Sequence, residues 1–336
     1  MNDLSDRLQT YLRSRLDAPD LTVTGLARIP GGASRETYRF RARSGGRERG
    51  LILRRDPPAS LIETERTTEY RAYEAFHALG LPVPEPVALE LDPAPLERPF
   101  FIMEEIENCL AGSIMSPDPY GAHRDAIGRE FFSVLGRIAS VDPRDVGLSE
   151  FEGETDIHDV AMHEVARWEK VIDEDESEPQ PIVRAAIRWL KRNPPPPAQK
   201  IAVVHGDYRT GNFLYDETGK IRAILDWEMA HLGDPLEDLG WAIDPLWSGG
   251  NPDFPGGMIA RAEAIAIWEK TSGLKAEPAA LRWWEIFAGV KGAAIWISAA
   301  REYAQGRNID PINAFSGWYC LAFHNMVLAH RLGDAA

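Results

Sequence analysis

From residue 105 onward the chain reads as helices except in one place. There KIAVVHGD, NFLYD and KIRAILDW (residues 200–227) have the short, apolar, β-branched character of strands, with a Glu217-Thr218-Gly219 turn between the last two. That island rules out a purely helical second half and makes the chain a mixed one. Helices are predicted around it at 123–140, 157–172, 180–192, 256–272, 277–305 and 310–332, and Asn193-Pro194-Pro195-Pro196-Pro197 is a stiff lead into it.

The first hundred residues follow a different pattern. Leu4, Leu8, Tyr11, Leu12 and Leu16 recur at helical spacing, so 3–17 is an amphipathic helix. LTVTGLARI is strand-like and ends at Pro30-Gly31-Gly32, while TYRFRAR and RGLILRR form a hairpin about Ser44-Gly45-Gly46-Arg47. Residues 63–79 look helical and stop at Gly80, after which PVALEL and RPFFIMEEI supply two more strands. The expected class is α+β and bilobal. A small antiparallel-sheet lobe with one main helix spans 1–104, and a larger helical lobe with an embedded hairpin spans 105–336.

Composition narrows the partners. The net charge of −15 argues against nucleic acid or an anionic membrane surface, since both need a basic face. The excess is lopsided, with EFEGETDIHDVAMHEVARWEKVIDEDESE (150–178) holding 12 acids and two bases. Part of it, DEDESE just before Pro179, is a charge run of the kind expected on solvated surface. Cys109 and Cys320 cannot make a disulfide framework and read as reduced thiols. MNDLSDRLQTYLRSRL lacks an apolar core and no stretch of 18 apolar residues occurs, so neither signal peptide nor membrane span is expected and a cytoplasmic location is.

The chemistry concentrates in the island: His205-Gly206-Asp207, Asn212 five residues after that Asp, and Asp226-Trp227-Glu228. A carboxylate at a strand end can take a proton from a hydroxyl. A carboxamide and a second carboxylate offer hard oxygen ligands to Mg²⁺, the set that phosphoryl transfer needs. No Cys/His cluster suggests zinc.

VVHGDYRTGNFLY…IRAILDWEMAHLGDPLEDLGW resembles the aminoglycoside phosphotransferase family of the protein-kinase-like superfamily, whose catalytic loop has the form H-G-D-x-x-x-x-N followed by a D-x-E metal site and G-D-P-x-x-D-L. LRRDPP, DWE and GDPLEDL together resemble the kinase-like phosphotransferases that also occur fused to acyl-CoA dehydrogenases. The resemblance covers the chain from about residue 20. It implies Asp207 as catalytic base and Asn212 and Asp226 as Mg²⁺ ligands, with His205 holding the loop and Glu228 beside metal or substrate. It also implies a nucleotide site made by Gly31, Gly32, Ala33 and Ser34 over the phosphates, Arg54 paired with Glu69, Met103 flanking the adenine, and backbone groups of Glu104 and Ile106 facing the base. Arg54 stands where such kinases carry lysine; it is always charged and can grip phosphate with two N–H groups, but its shape differs. Asp234 and Asp238 are expected to cap a helix beginning at Pro235, and Trp283, Trp284, Trp296 and Trp318 to be core.

The implied activity is transfer of the γ-phosphoryl group of Mg·ATP, or GTP, to a hydroxyl of a small molecule. A metabolite acceptor ranks above an aminoglycoside-type antibiotic, because the acidic excess sits in one stretch. A nucleotide-binding pseudokinase is the remaining alternative. A protein substrate is disfavoured, since Asp226 runs straight into GDPLEDL with no activation segment.

Overall fold

The structure is a computed structural model that describes residues 2–29, 36–56, 66–113, 116 and 118–333. The chain divides into two compact units, Met1–Cys109 with Arg222–Glu228, and Leu110–Ile221 with Met229–Ala336.

The first unit runs α1 (Asn2–Arg15), β1 (Thr22–Arg28), β2 (Glu36–Ser44), β3 (Arg47–Arg55), α2 (Arg66–Ala78), β4 (Pro86–Glu90) and β5 (Phe100–Glu104). Its five strands form an antiparallel sheet in the order β1-β2-β3-β5-β4. The β2–β3 hairpin closes on Gly45 and Gly46 at φ of 55° and 74°, a two-residue turn that needs left-handed backbone at both positions. Alternation along β3 then sorts the side chains. Leu51 and Leu53 join Leu8 and Leu12 of α1, Phe40, Phe100 and Ile102 in one core. Arg54 falls on the other face, opposite Phe101 in register, where Tyr70 and Tyr73 of α2 pack on the Phe101 ring. The segment 222–228 belongs here through Trp227, stacked on Phe76 at 4.5 Å between ring centres. Of the predicted helix 63–79, residues 63–65 lie outside the described residues.

Short strand β6 (Cys109–Ala111) comes next, followed by α3 (Arg124–Ser140), α4 (Val160–Asp175), α5 (Pro181–Arg192), β7 (Ala202–Val204), β8 (Phe213–Asp216) and β9 (Ile221–Ile224). The rest is β10 (His231–Gly233), α6 (Leu236–Ala242), α7 (Arg261–Ser272), α8 (Pro278–Ala304), α9 (Pro311–Phe315) and α10 (Leu321–Gly333). In the second unit β10 pairs antiparallel with β7, His231 opposite Val204, a strand the sequence reading had missed. Helix α8 is buried nearly all round, the state of a helix that is apolar on every face. Gly292 lets α10 lie close, since a Cβ there would sit 2.1 Å from the His324 ring.

Three expectations are corrected. Trp318 is 74 % exposed rather than core, because residues 316–320 form a π-turn that aims Ser316 and Cys320 inward and carries Trp318 out. Residues 256–260 precede rather than begin α7: Gly256 takes a φ of 63° in a separate short turn. The DEDESE run is not all solvated surface either: Asp175 and Glu176 are half-buried, paired with Arg301 and Arg184.

Candidate active site

In the second unit the loop between β7 and β8 is pinned by its backbone. The N–H groups of His205 and Gly206 donate to the two oxygens of Asp238 at 2.6 and 2.9 Å. Burial pushes Asp238 up to about 6, and these two N–H bonds act against that shift. Asp238 is therefore a clamp on the loop rather than a helix cap; Asp234 alone caps, accepting from Leu236 N at 2.9 Å. Gly206 has a φ of 84°, and a Cβ there would lie 2.5 Å from the Met229 carbonyl oxygen, so only glycine fits this turn. His205 Nδ1 accepts from Asp207 N at 3.1 Å, the loop-holding role expected of it.

These constraints present the Asp207 carboxylate to three side-chain donors. Trp241 Nε1 reaches Oδ1 at 2.8 Å, Asn212 Nδ2 reaches Oδ2 at 2.6 Å, and Arg209 Nε lies 2.9 and 3.1 Å from the two oxygens. Asn212 Nδ2 also bonds the Asp207 carbonyl at 2.9 Å, so the amide turns its nitrogen to Asp207 and keeps Oδ1 as its acceptor end. The Arg209 guanidinium stacks over the Trp247 ring at 4.9 Å. Arg209 and Trp241 are site residues that sequence reasoning missed. Arg209 was visible as a cation two positions beyond the Asp. Trp241 is 34 positions away, and nothing local marks it.

Beneath this loop lies a fully buried ionic chain. Lys291 Nζ donates to the Gly206 carbonyl at 2.6 Å and to Glu237 Oε1 at 2.8 Å. His231 Nε2 lies 3.1 Å from Glu237 Oε2 and 3.9 Å from Glu164 Oε2. His231 Nδ1 faces the Met229 carbonyl at 2.9 Å, so it carries a hydrogen. Burial disfavours the imidazolium, but Glu237 and Glu164 outweigh burial and raise the His231 pKa. With His231 protonated, two cations face two glutamates and the charges cancel. Glu164, His231 and Glu237 have the spacing of a metal triad, but charge balance is met by a proton.

In the first unit Arg54 is buried on the sheet face under α2. Its Nη1 lies 2.6 Å from Glu69 Oε1 and 2.8 Å from Asp226 Oδ1, and its Nη2 lies 3.8 Å from Glu228 Oε2. The predicted Arg54–Glu69 partners are thus in contact, and Asp226 and Glu228 join them. Asp226 has a φ of 66°, rare for a residue with a side chain, and its N–H donates to the Tyr73 hydroxyl at 3.0 Å. Three carboxylates around one guanidinium leave a formal excess of two negative charges, a donor set of hard oxygens that suits a divalent cation. Met103 is buried on β5, and the Glu104 N–H donates to the Glu85 carbonyl at 2.9 Å. Ile106 is half-buried just past β5. Gly31, Gly32, Ala33 and Ser34 lie outside the described residues.

Comparison with known proteins shows the family and the fold. The family described as "Phosphotransferase enzyme family" matches residues 25–274. Acyl-CoA dehydrogenase family member 10 of Mus musculus is 30% identical over 240 residues, which is 70% of this chain and 22% of that protein, so the chain spans about a fifth of that relative's length. A Ralstonia eutropha protein described provisionally as an aminoglycoside phosphotransferase superposes with a TM-score of 0.76 at 23% identity, over 98% of both chains. A thermostable variant of aminoglycoside phosphotransferase APH(4)-Ia, in ternary complex with ADP and hygromycin B, superposes with a TM-score of 0.57 at 16% identity, over 98% of this chain and 99% of that one. The fold is the protein-kinase-like α+β fold that the motifs imply. Among the described residues no helix is long and apolar enough to cross a membrane.

Proposed function

The chain belongs to the phosphotransferase enzyme family, and we propose that within it this protein moves the γ-phosphoryl group of Mg·ATP, or GTP, to a hydroxyl of a small molecule. The observation that carries the reading is the Asp207 carboxylate, fixed at both oxygens by Trp241, Asn212 and Arg209 at the end of a clamped loop.

A base for phosphoryl transfer must orient the hydroxyl and take its proton late, so placement counts for more than basicity. Asp207 has that placement. Asp226 and Glu228 in the first unit, and Asn212 Oδ1 in the second, are each oxygens of the kind that would hold Mg²⁺, which when bound neutralises charge on the transferring phosphates. Arg54 is kept cationic by Glu69 and Asp226 despite burial, and would anchor the α- and β-phosphates. Arg209, stacked on Trp247, supplies a second positive charge beside the acceptor hydroxyl.

For the acceptor, the side chains that bond Asp207 among the described residues are a guanidinium, a carboxamide and an indole, with a second indole under the guanidinium. That favours a neutral or anionic metabolite hydroxyl over a polycationic antibiotic. The test is ADP formation with Mg·ATP across a panel of alcohols, sugars and aminoglycosides, for the wild type and Asp207→Asn. Acceptor-dependent turnover should fall about 10²–10⁴-fold in the variant while Mg·ATP affinity stays within about twofold. An active Asp207→Asn enzyme overturns the assignment. Mg·ATP binding without turnover on any acceptor favours a pseudokinase.

A further inference from the structure

Lys291 is buried directly under the loop that carries Asp207. It sits in the middle of α8, 1 % exposed, and donates to the carbonyl of Gly206, the residue before Asp207. Its Nζ also lies 5.4 Å from the centre of the Trp241 ring and 5.7 Å from that of Trp168. Trp241 is the indole that holds Asp207 Oδ1. One ammonium therefore touches the loop on its backbone side and the indole on its ring side.

An ammonium in such a place needs a reason to stay. Burying it costs several kcal/mol unless it is paired and hydrogen-bonded. Glu237 Oε1 supplies the pair at 2.8 Å, His231 holds the other Glu237 oxygen at 3.1 Å, and Glu164 of α4 faces His231 at 3.9 Å. Neither Glu164 oxygen accepts a hydrogen bond among the described residues, so its contribution is charge alone, toward His231, His163 and Arg167. Four elements that carry no catalytic residue converge through this chain on one peptide carbonyl. The other end of that peptide, the Asp207 N–H, donates to His205 Nδ1 at 3.1 Å, and the preceding peptide is held by Asp238 through the Gly206 N–H at 2.9 Å. Fixing both ends of a peptide unit in a loop of unusual φ is what a rigid Asp207 requires.

We propose that Lys291 is a positioning residue for Asp207, fixing the Gly206 carbonyl and backing the Trp241 indole, with Glu237, His231 and Glu164 as the buried charges that hold it there. The inference rests on the phosphotransferase reading for its effect on rate, but not for its effect on the loop.

The test uses the full chain and two variants. Lys291→Met alone leaves Glu237 uncompensated and can fail to fold; Lys291→Met/Glu237→Gln removes both charges and keeps the volumes. Two readouts apply to the double variant. With an acceptor that the wild type phosphorylates, kcat is expected to fall about 10²-fold, the cost of a carboxylate displaced by about an ångström, with the Mg·ATP KM within about twofold. Independently of any acceptor, the ¹⁵N-labelled Trp241 indole N–H, assigned with Trp241→Phe, should exchange with solvent at least tenfold faster. Wild-type kcat in the folded double variant overturns the proposal, whatever the exchange rate. If the wild type phosphorylates nothing, the phosphotransferase reading has failed, and the exchange rate alone decides: unchanged exchange overturns the positioning role and faster exchange supports it.

Discussion

The indole N–H of Trp241 donates to Asp207 Oδ1 at 2.8 Å, across 34 positions of sequence. That bond sets which way the carboxylate faces, because Asn212 holds the other oxygen. Trp241→Phe keeps most of the apolar volume and deletes the donor. A hydrogen bond to a charged group is worth about 1.5–3 kcal/mol. If it is spent on orientation, kcat should fall roughly 10–100-fold with nucleotide affinity unchanged. Steady-state kinetics on the folded variant checks this, and an unaltered kcat would show that Arg209 and Asn212 suffice.

Asp226 combines two properties that separate variants can split. Its φ of 66° suits Asn but strains Ala, at roughly 1–2 kcal/mol. Asp226→Asn and Asp226→Ala should both lose Mg²⁺-dependent nucleotide binding, while the alanine variant alone also loses thermal stability. Calorimetric titration of ATP with and without Mg²⁺, beside melting curves, reads both effects. Equal Mg²⁺ dependence in wild type and variants would remove Asp226 from the metal site.

Arg54 and Glu69 are buried together, 2.6 Å apart, and removing Arg54 takes away the guanidinium that balances the buried Glu69 carboxylate. Arg54→Met should therefore destabilise by about 3–5 kcal/mol, whereas the double variant Arg54→Met/Glu69→Met should recover most of it. Urea denaturation of the three proteins measures this. Nucleotide binding should stay weak in the recovered double variant, since stability returns and the phosphate anchor does not.

Stability should depend on pH through the His231 cluster. The raised His231 pKa means that its stabilisation is full below the unfolded value of 6.5 and is lost as pH climbs through the folded value. Glu237 and Glu164 are held below their ordinary 4.5, so their share is present above that value and fades as pH falls. Melting temperature against pH should show a plateau with an alkaline decline, and His231→Gln should flatten that decline. A decline of the same size in the variant would place its origin elsewhere.

Much of the site was legible because its residues are close in sequence. His205, Asp207 and Asn212 share one loop, and β3 and α2 deliver Arg54 and Glu69 as neighbouring elements. Spacing cannot show a partner brought from a distant helix. Trp241 and Lys291 look like core residues in the sequence, an aromatic in a short helix and one cation in an apolar one. Asp238 misled for a related reason: its position near a helix start suits a cap, but its oxygens turn back to a loop 32 and 33 positions earlier. Trp318 misled in the opposite sense, because a π-turn shifts the helical face that periodicity assumes.

The anchor proposed for nucleotide phosphates is not encoded in one continuous piece of chain. Arg54 and Glu69 come early, but Asp226, Glu228 and the Trp227 ring that stacks on Phe76 come from a seven-residue segment more than a hundred positions later. An expressed fragment ending near residue 109 would keep the sheet and lose the segment, leaving Arg54 with Glu69 as its carboxylate partner among the described residues and taking the Trp227 ring off Phe76. Truncation at the apparent sequence boundary is therefore the wrong way to isolate a nucleotide-binding module from this protein. A graft that reattaches 222–228 through a designed turn is the smallest piece that keeps the anchor whole.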